Sequence, residues 1–155
     1  MRAYYEITTA LKNQLDSQQI NIVKLGDMAD VDLDKQGIYP LAHILIEEAR
    51  MGMQTIEFDI NILFADLVDI NTDNKKEGTP FYGNNNHQDI MNAMLNEANI
   101  LTQHLMRGNL FASNYQVINA PTALPFTGRF KNLLSGWMLS FTVQVPNIDT
   151  TICWR

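Results

Sequence analysis

The alternation of apolar and polar side chains across residues 54–66 constrains the fold more than any other feature of the sequence. Successive side chains of a β-strand point to opposite faces of a sheet, so this period of two predicts a strand with one buried face. Residues 137–145 alternate in the same way and predict a second strand of this kind. In the first segment the apolar positions are Ile56, Phe58, Ile60, Ile62 and Phe64, and the polar ones are Glu57, Asp59 and Asn61.

Short apolar runs predict further strands before the alternating one. Residues 20–25 form one run, and residues 41–50 form another that ends just before Gly52. Because the break at Gly52 is short, we expect 41–50 and 54–66 to pair as an antiparallel hairpin.

The part of the chain between residues 114 and 136 is less regular. A strand is expected near 114–120. A loop is expected through 121–136, because residues that interrupt strands recur there, namely Pro121, Pro125, Gly128 and Gly136.

Two amphipathic helices are predicted, one over residues 2–18 and one over 87–107. Both carry apolar side chains at spacings of three and four, which place them on one helical face. In the second helix this stripe comprises Ile90, Met94, Ala98, Leu101 and Leu105. Asn85 or Asn86 can cap its start, and Gly108 can end it.

These elements follow one another in the order α-β-β-β-α-β-β and predict an α+β fold. Two main helices on one face of a mostly antiparallel sheet form a two-layer domain. The chain has 155 residues, which suits a single domain over 1–155 with a core large enough to need no disulfide or metal.

The charge balance argues against tight binding of nucleic acid. The net charge is −6, and the one adjacent basic pair, Lys75 and Lys76, is followed directly by Glu77. Proteins that grip a phosphate backbone usually present a basic patch. The single cysteine, Cys153, fits a reducing compartment, and no run is long and apolar enough to span a bilayer. We therefore expect a soluble protein made in the cytoplasm.

Two polar segments are expected to be loops. The first is an acidic loop with Asp27, Asp30, Asp32 and Asp34, which lacks the glycine and the final acidic ligand of a calcium-binding EF-hand loop. The second spans residues 71–86 and contains adjacent aromatic residues, Phe81 and Tyr82. Loops of this length are often functional, so Phe81 and Tyr82 are candidates for a contact arm.

No combination of residues predicts catalysis or a cofactor. His43, His87 and His104 have no histidine or cysteine at helical ligand spacing, so we interpret them as surface or cap residues rather than zinc ligands. Glu97 can share a helix face with His104, but two ligands do not make a zinc site. The sequence contains no nucleophile elbow or phosphate-binding glycine loop, and we expect neither enzyme activity, nor a cofactor, nor a metal.

Three stretches of the chain resemble small virion proteins of long-tailed bacteriophages, in the tail terminator or tail completion class. Together they cover most of the chain. The stretches contain Leu25-Gly26-Asp27 with Ile38-Tyr39-Pro40-Leu41-Ala42-His43-Ile44, then Phe81-Tyr82-Gly83-Asn84-Asn85-Asn86, and finally Gly136-Trp137 with Phe141-Thr142-Val143-Gln144-Val145-Pro146-Asn147.

This resemblance implies a structural virion protein, built as a homo-hexameric ring that ends the tail tube and joins it to the head connector. The implied partners are other copies of the chain, the tail tube protein and head–tail connector proteins. Six copies would carry a charge of about −36, so DNA would pass through without specific binding. Candidate interface residues lie in the two long loops and are Phe81, Tyr82, Phe126, Arg129 and Phe130.

Alternatives remain open at this stage. The aromatic candidates can instead fold back onto their own domain, since sequence does not distinguish exposed from buried aromatics. A head-completion or neck connector protein would share the same size, charge and lack of chemistry. A small ligand-binding or hydrolytic α+β domain, with a site assembled from scattered Asp, Glu and His residues, is a third reading.

Overall fold

The structure is a computed structural model that describes residues 3–26, 39–67, 87–107, 110–111, 115–129 and 134–147. Within these residues there are two helices and six strands. The helices are α1 (Ala3–Asp16) and α2 (His87–Met106), and the strands are β1 (Ile22–Leu25), β2 (Leu41–Met51), β3 (Thr55–Leu67), β4 (Gln116–Val117), β5 (Thr122–Arg129) and β6 (Leu134–Pro146).

The six strands form one sheet in the order β1-β2-β3-β6-β4, and β5 pairs with the other end of β6. All the strand pairs are antiparallel except β1 with β2. The α+β class and the mostly antiparallel sheet are confirmed, and the elements follow the predicted order with one further strand after α2. The predicted hairpin is also confirmed, since β2 and β3 pair along their lengths with a register shift between Ile46 and Glu48.

Both helices pack on the same face of the sheet. The apolar alternation of β3 and β6 produces this face, because every second side chain of each strand is buried there. The indole N–H of Trp137 on β6 donates to the backbone oxygen of Met91 on α2 at 2.9 Å, which ties helix to sheet. Helix residues of this core are Ala3, Ile7, Leu11, Leu15, Ile90, Met94, Ala98, Leu101 and Leu105.

The opposite face of the sheet is apolar at one end and polar at the other. A second cluster of buried residues lies where β2 begins and β3 ends, and it contains Tyr39, Leu41, Leu63, Ala65, Phe126 and Leu134. Towards the β2–β3 turn the same face carries the polar residues Glu57, Asp59 and Asn61. The polar side of the alternating strand predicted from sequence therefore occupies only the turn end of the sheet.

The prediction of a loop through 121–136 is wrong for most of that segment. Residues Thr122–Arg129 form β5, and β6 already begins at Leu134. A proline in a strand is tolerated at a sheet edge, where its missing N–H removes no ladder bond. Among the strands of the described residues, β5 has a neighbour on one side only, and its Pro125 lies opposite Trp137. Strand β5 can therefore contain Pro125, although this proline predicts a loop from the sequence.

Gly136 is another residue that predicts a loop from the sequence, but in the structure it has a packing role. It lies within β6 opposite Ala65 of β3. A Cβ atom at this position would stand 1.8 Å from the backbone oxygen of Phe64. Glycine therefore lets β3 and β6 approach each other, and this close contact is invisible in the linear sequence.

Candidate functional site

The turn end of the sheet presents a charged patch on the face away from the helices. We call Glu48, Arg50, Glu57, Asp59 and Thr142 the ionic patch. The strand register explains their proximity, because Glu48 lies opposite Asp59, Arg50 opposite Glu57, and Asp59 opposite Thr142. The three strands thus place their polar side chains side by side.

Arg50 is the centre of the ionic patch. Its Nη2 donates to Oε2 of Glu57 at 3.1 Å and to Oδ1 of Asp59 at 2.9 Å, and its Nη1 also contacts Asp59. The hydroxyl of Thr142 donates to Oδ1 of Asp59 at 2.8 Å, and Glu48 lies 3.6 Å from the guanidinium. One cation therefore contacts three carboxylates, which leaves a local excess of negative charge.

Hydrogen bonds within the ionic patch favour the charged forms of Arg50 and Asp59. The hydrogen bond from Arg50 lowers the pKa of Asp59 below its ordinary value, and the bond from Thr142 acts in the same direction. Hydrogen bonds to Asp59 and Glu57 raise the pKa of Arg50 further above an already high value. A general acid or base needs a pKa near the working pH. Charged forms of Arg50 and Asp59 suit these two residues to ionic contacts.

A groove of about 450 Å³ lies between α1 and the segment that follows α2. The hydroxyl of Tyr115 donates to the carboxylate of Glu6 across it. Partial burial, together with this bond, raises the pKa of Tyr115 to about 12. Besides this pair, the groove is lined by Tyr5, Thr9, Ala10, Asn13, Leu110 and Phe111. The aromatic lining with few charges suits an apolar or aromatic partner group.

His43 is not the surface or cap residue that the sequence suggested. Its side chain is 0% exposed, and Nε2 lies 3.0 Å from the backbone oxygen of Gly26. Nδ1 has no hydrogen-bond partner among the described residues. The side chain of His43 lies on the face of the sheet away from the helices, and it contacts the backbone of Gly26, the residue that follows β1. The other two histidines, His87 and His104, lie half-exposed at the ends of α2, in line with the prediction.

Glu97 is a buried carboxylate that sequence reasoning considered only as a zinc ligand. It is 4% exposed, and the side-chain amide of Gln18 donates both to its Oε2 and to its backbone oxygen at 2.9 Å. The pair joins the end of α1 to the middle of α2. The sequence does contain a signal for the burial of Glu97, because residue 97 lies on the buried stripe of α2 between Met94 and Leu101.

Within the described residues, these polar groups do not form a metal-binding cluster. Across the described ranges, no group of three or more His, Cys, Asp or Glu side chains could hold a metal ion. His43 and Glu97 lie on opposite sides of the sheet and each makes a structural contact.

Most of the interface candidates from the sequence lie outside the described residues. This holds for Phe81, Tyr82 and Phe130, and for the acidic loop with Asp27, Asp30, Asp32 and Asp34. Arg129 is the last residue of β5 and pairs with Leu134 through its backbone.

The structure removes Phe126 from the list of interface candidates. It is 6% exposed and belongs to the second apolar cluster of its own domain. The alternative of aromatics folding back onto the domain is therefore the one that applies to this residue. Because β5 is a strand rather than a loop, the side chain of Phe126 lies on the face of the sheet that carries the second apolar cluster.

Of the described residues, the most exposed apolar side chains lie at the turn between β2 and β3, which the sequence analysis treated only as a break between strands. Met51 is 80% exposed and Met53 is 86% exposed. The turn is held in place by Asn147, whose backbone N–H donates to Gln54 at 2.8 Å and whose side chain donates to Gly52 at 3.2 Å. A fixed turn thus displays two large, flexible apolar side chains.

Comparison with known proteins gives no family for this chain. No protein-family model matches it, and no curated protein matches it. Of the two helices in the described ranges, neither is long and apolar enough to cross a membrane.

Proposed function

We propose that this protein is a structural component of a phage virion that forms a ring, ends the tail tube and joins it to the head connector. The proposal begins from the sequence resemblance to tail terminator proteins. On this proposal the protein is made in the host cytoplasm and resides in the neck of the virion. Its partners are copies of itself, the tail tube protein and the connector proteins.

The observation that carries the proposal is the methionine turn, defined by Met51, Gly52 and Met53. Exposed side chains of this kind on a fixed turn are more typical of a contact surface than of a surface that only meets water. Because methionine packs well against aromatic rings, the aromatic groove beside Tyr115 supplies a suitable receptor.

A closed ring requires two different surfaces on each subunit that fit one another. The methionine turn and the groove beside α1 are two such surfaces on one chain, and neither includes a residue of the ionic patch. The net charge of −6 also suits a ring through which DNA passes, since phosphates would be repelled rather than held.

The proposal can be tested by measuring the mass of the purified chain in solution. We expect light scattering to show a ring, or a monomer that becomes a ring on added tail tubes. Replacing Met51 and Met53 together by serine should abolish this association while leaving the melting temperature unchanged. Met106→Ser is the matched control, because Met106 is also largely exposed but lies at the end of α2.

A head-completion or neck connector role is the nearest alternative. It would also use an oligomer with contact surfaces, so mass alone does not separate the two. Electron microscopy of the chain mixed with isolated tail tubes does, because a terminator caps tubes whereas a connector protein leaves them bare.

The groove beside α1 gives a specific reason to keep a ligand-binding domain as a second candidate. Its volume falls within the range of about 300–1,000 Å³ that is common for small-molecule sites. A monomer that never associates, and whose melting temperature rises with an aromatic ligand in the wild type but not in Tyr115→Ala, would favour this candidate.

A further inference from the structure

Within the described residues, the outer edge of β2 has no strand beside it over its second half. β1 pairs only with Leu41–Ile44, and no other strand of the described residues borders β2 on that side. Residues 47–51 of β2 are all exposed. An unpaired strand edge offers a row of backbone donors and acceptors to an incoming strand.

The hairpin geometry identifies the backbone groups that face this edge. Gly52 N–H donates to the oxygen of Thr55 at 2.8 Å, so these two residues form a hydrogen-bonded pair. Opposite residues in an antiparallel pair alternate between bonded and non-bonded. Arg50 and Glu48 therefore bond to β3, whereas Met51 and Ala49 direct their N–H and C=O groups outwards.

The two sides of this edge differ in chemistry. Ala49 and Met51 lie opposite Phe58 and Ile56 of β3, so their side chains are on the helix side. Glu48 and Arg50 lie on the other side, within the ionic patch. An incoming strand would place alternate side chains against Ala49 and Met51, and the remainder against the patch.

The charge of the edge selects the partner. Glu48, Glu57 and Asp59 are three carboxylates around one cation, Arg50, whose guanidinium is already engaged by Glu57 and Asp59. Pairing with the same edge of a second copy would bring carboxylates together. A strand with lysine or arginine at alternate positions would instead neutralise them.

We propose that the β2 edge from Leu45 to Met51 binds an extended segment of a partner protein in which apolar and basic residues alternate. The apolar residues pack beside Ala49 and Met51, and the basic residues lie beside Glu48. Backbone hydrogen bonds from Ala49 and Met51 provide the affinity, and the charge pattern provides the specificity. The edge shares Met51 with the methionine turn, but the inference does not rest on ring formation, because peptide binding can be tested on a monomer.

The test uses the full chain and a fluorescent peptide of seven residues in which lysine and valine alternate. We expect fluorescence anisotropy to detect binding of this peptide. A peptide with glutamate in place of lysine, and one with the same lysines and valines in two separate blocks, should bind much more weakly. Amide hydrogen exchange should show protection of Ala49 and Met51 on binding.

Two variants separate strand addition from simple charge attraction. Ala49→Pro removes an outward N–H and should weaken binding of the alternating peptide roughly two- to tenfold, whereas Ala49→Val keeps the N–H and should bind as the wild type does. Glu48→Lys should reduce binding of the lysine peptide and increase binding of the glutamate peptide.

The inference is overturned if the alternating peptide binds no better than the block peptide, or if amide protection at Ala49 and Met51 is unchanged. It is also overturned if Ala49→Pro, folded by circular dichroism, binds the peptide as tightly as Ala49→Val. Failure of the chain to form rings would leave all these results unaffected.

Discussion

Gly136→Ala tests whether the close approach of β3 and β6 is as tight as the structure indicates. The added Cβ would lie 1.8 Å from the backbone oxygen of Phe64 and 2.9 Å from its carbonyl carbon. These are backbone atoms in the middle of a sheet, so no side-chain rotation relieves the overlap. The two strands must separate locally, and the ladder between Phe64 and Trp137 is the first part to be strained.

The magnitude follows from the costs of overpacking. Extra carbon atoms in a packed interior typically cost about 1–3 kcal/mol and occasionally more. Because backbone must move here, we expect a loss of about 3 kcal/mol, a large part of the roughly 5–15 kcal/mol by which a domain is stable. For a chain of this size each kcal/mol corresponds to about 2–4 °C, so the melting temperature should fall by about 6–12 °C.

Urea unfolding followed by circular dichroism measures this loss directly. With a slope of about 2 kcal/mol per molar urea, the midpoint should fall by about 1.5 M. Gly52→Ala is the matched control, because its Cβ would stand 3.0 Å from the oxygen of Thr55 at an exposed turn that can adjust. If Gly136→Ala unfolds at the same urea concentration as the Gly52→Ala control, the account of strand packing at this position is wrong.

Three further predictions concern the polar contacts. Gln18→Ala leaves the buried carboxylate of Glu97 without its amide donor and should lower the free energy of unfolding by about 1–3 kcal/mol in urea titrations, whereas no loss of this size is expected if the pair is exposed in solution. Arg50→Met removes the main cause of the lowered pKa of Asp59, so the pKa of Asp59 should rise in an NMR titration. A carboxyl group with a lowered pKa stabilises the folded state above its unfolded-state pKa, and this stability is lost as the pH falls through the folded-state pKa. The variant should therefore lose less stability on acidification than the wild type. Burial and the bond to Glu6 raise the pKa of Tyr115 to about 12, so Tyr115→Phe should remove the most alkaline part of the absorbance change in an ultraviolet titration. If the variant instead lacks a tyrosine that titrates near the ordinary value, the partial burial of Tyr115 beside a carboxylate is contradicted.

The parts of the fold that could be predicted from sequence are those where a single element carries its own pattern. β3 alternates from Ile56 to Ile62 because one face of that part is buried under the helices, and the stripe of α2 repeats because that helix covers the sheet. Such patterns record burial on one side of one element. They do not record which strand lies next to which.

The parts that could not be predicted depend on neighbours. β5 was missed because Pro125 reads as a loop residue unless the strand is known to lie at an edge. The burial of His43 results from its position opposite Leu63 in the sheet, whereas the apolar run around it predicts a strand without showing what covers each face. The need for glycine at 136 likewise arises from the approach of Phe64.

The candidate site was even less accessible from sequence. The ionic patch joins residues from three strands, and only the register shows that Arg50 lies beside Asp59 and near Thr142. From the sequence, the methionine turn is predicted only as a short break at Gly52 between two strands. Its exposure could not be inferred, because methionine is as common in cores as on contact surfaces.

Electron microscopy of the purified chain with isolated tail tubes tests the central proposal most directly, namely that this protein acts by associating with copies of itself at the end of a tube. We expect closed rings seated on tube ends, with a mass of about six times the 17.7 kDa of one chain in the ring. A chain that stays monomeric at every concentration and leaves the tube ends bare would contradict the proposal.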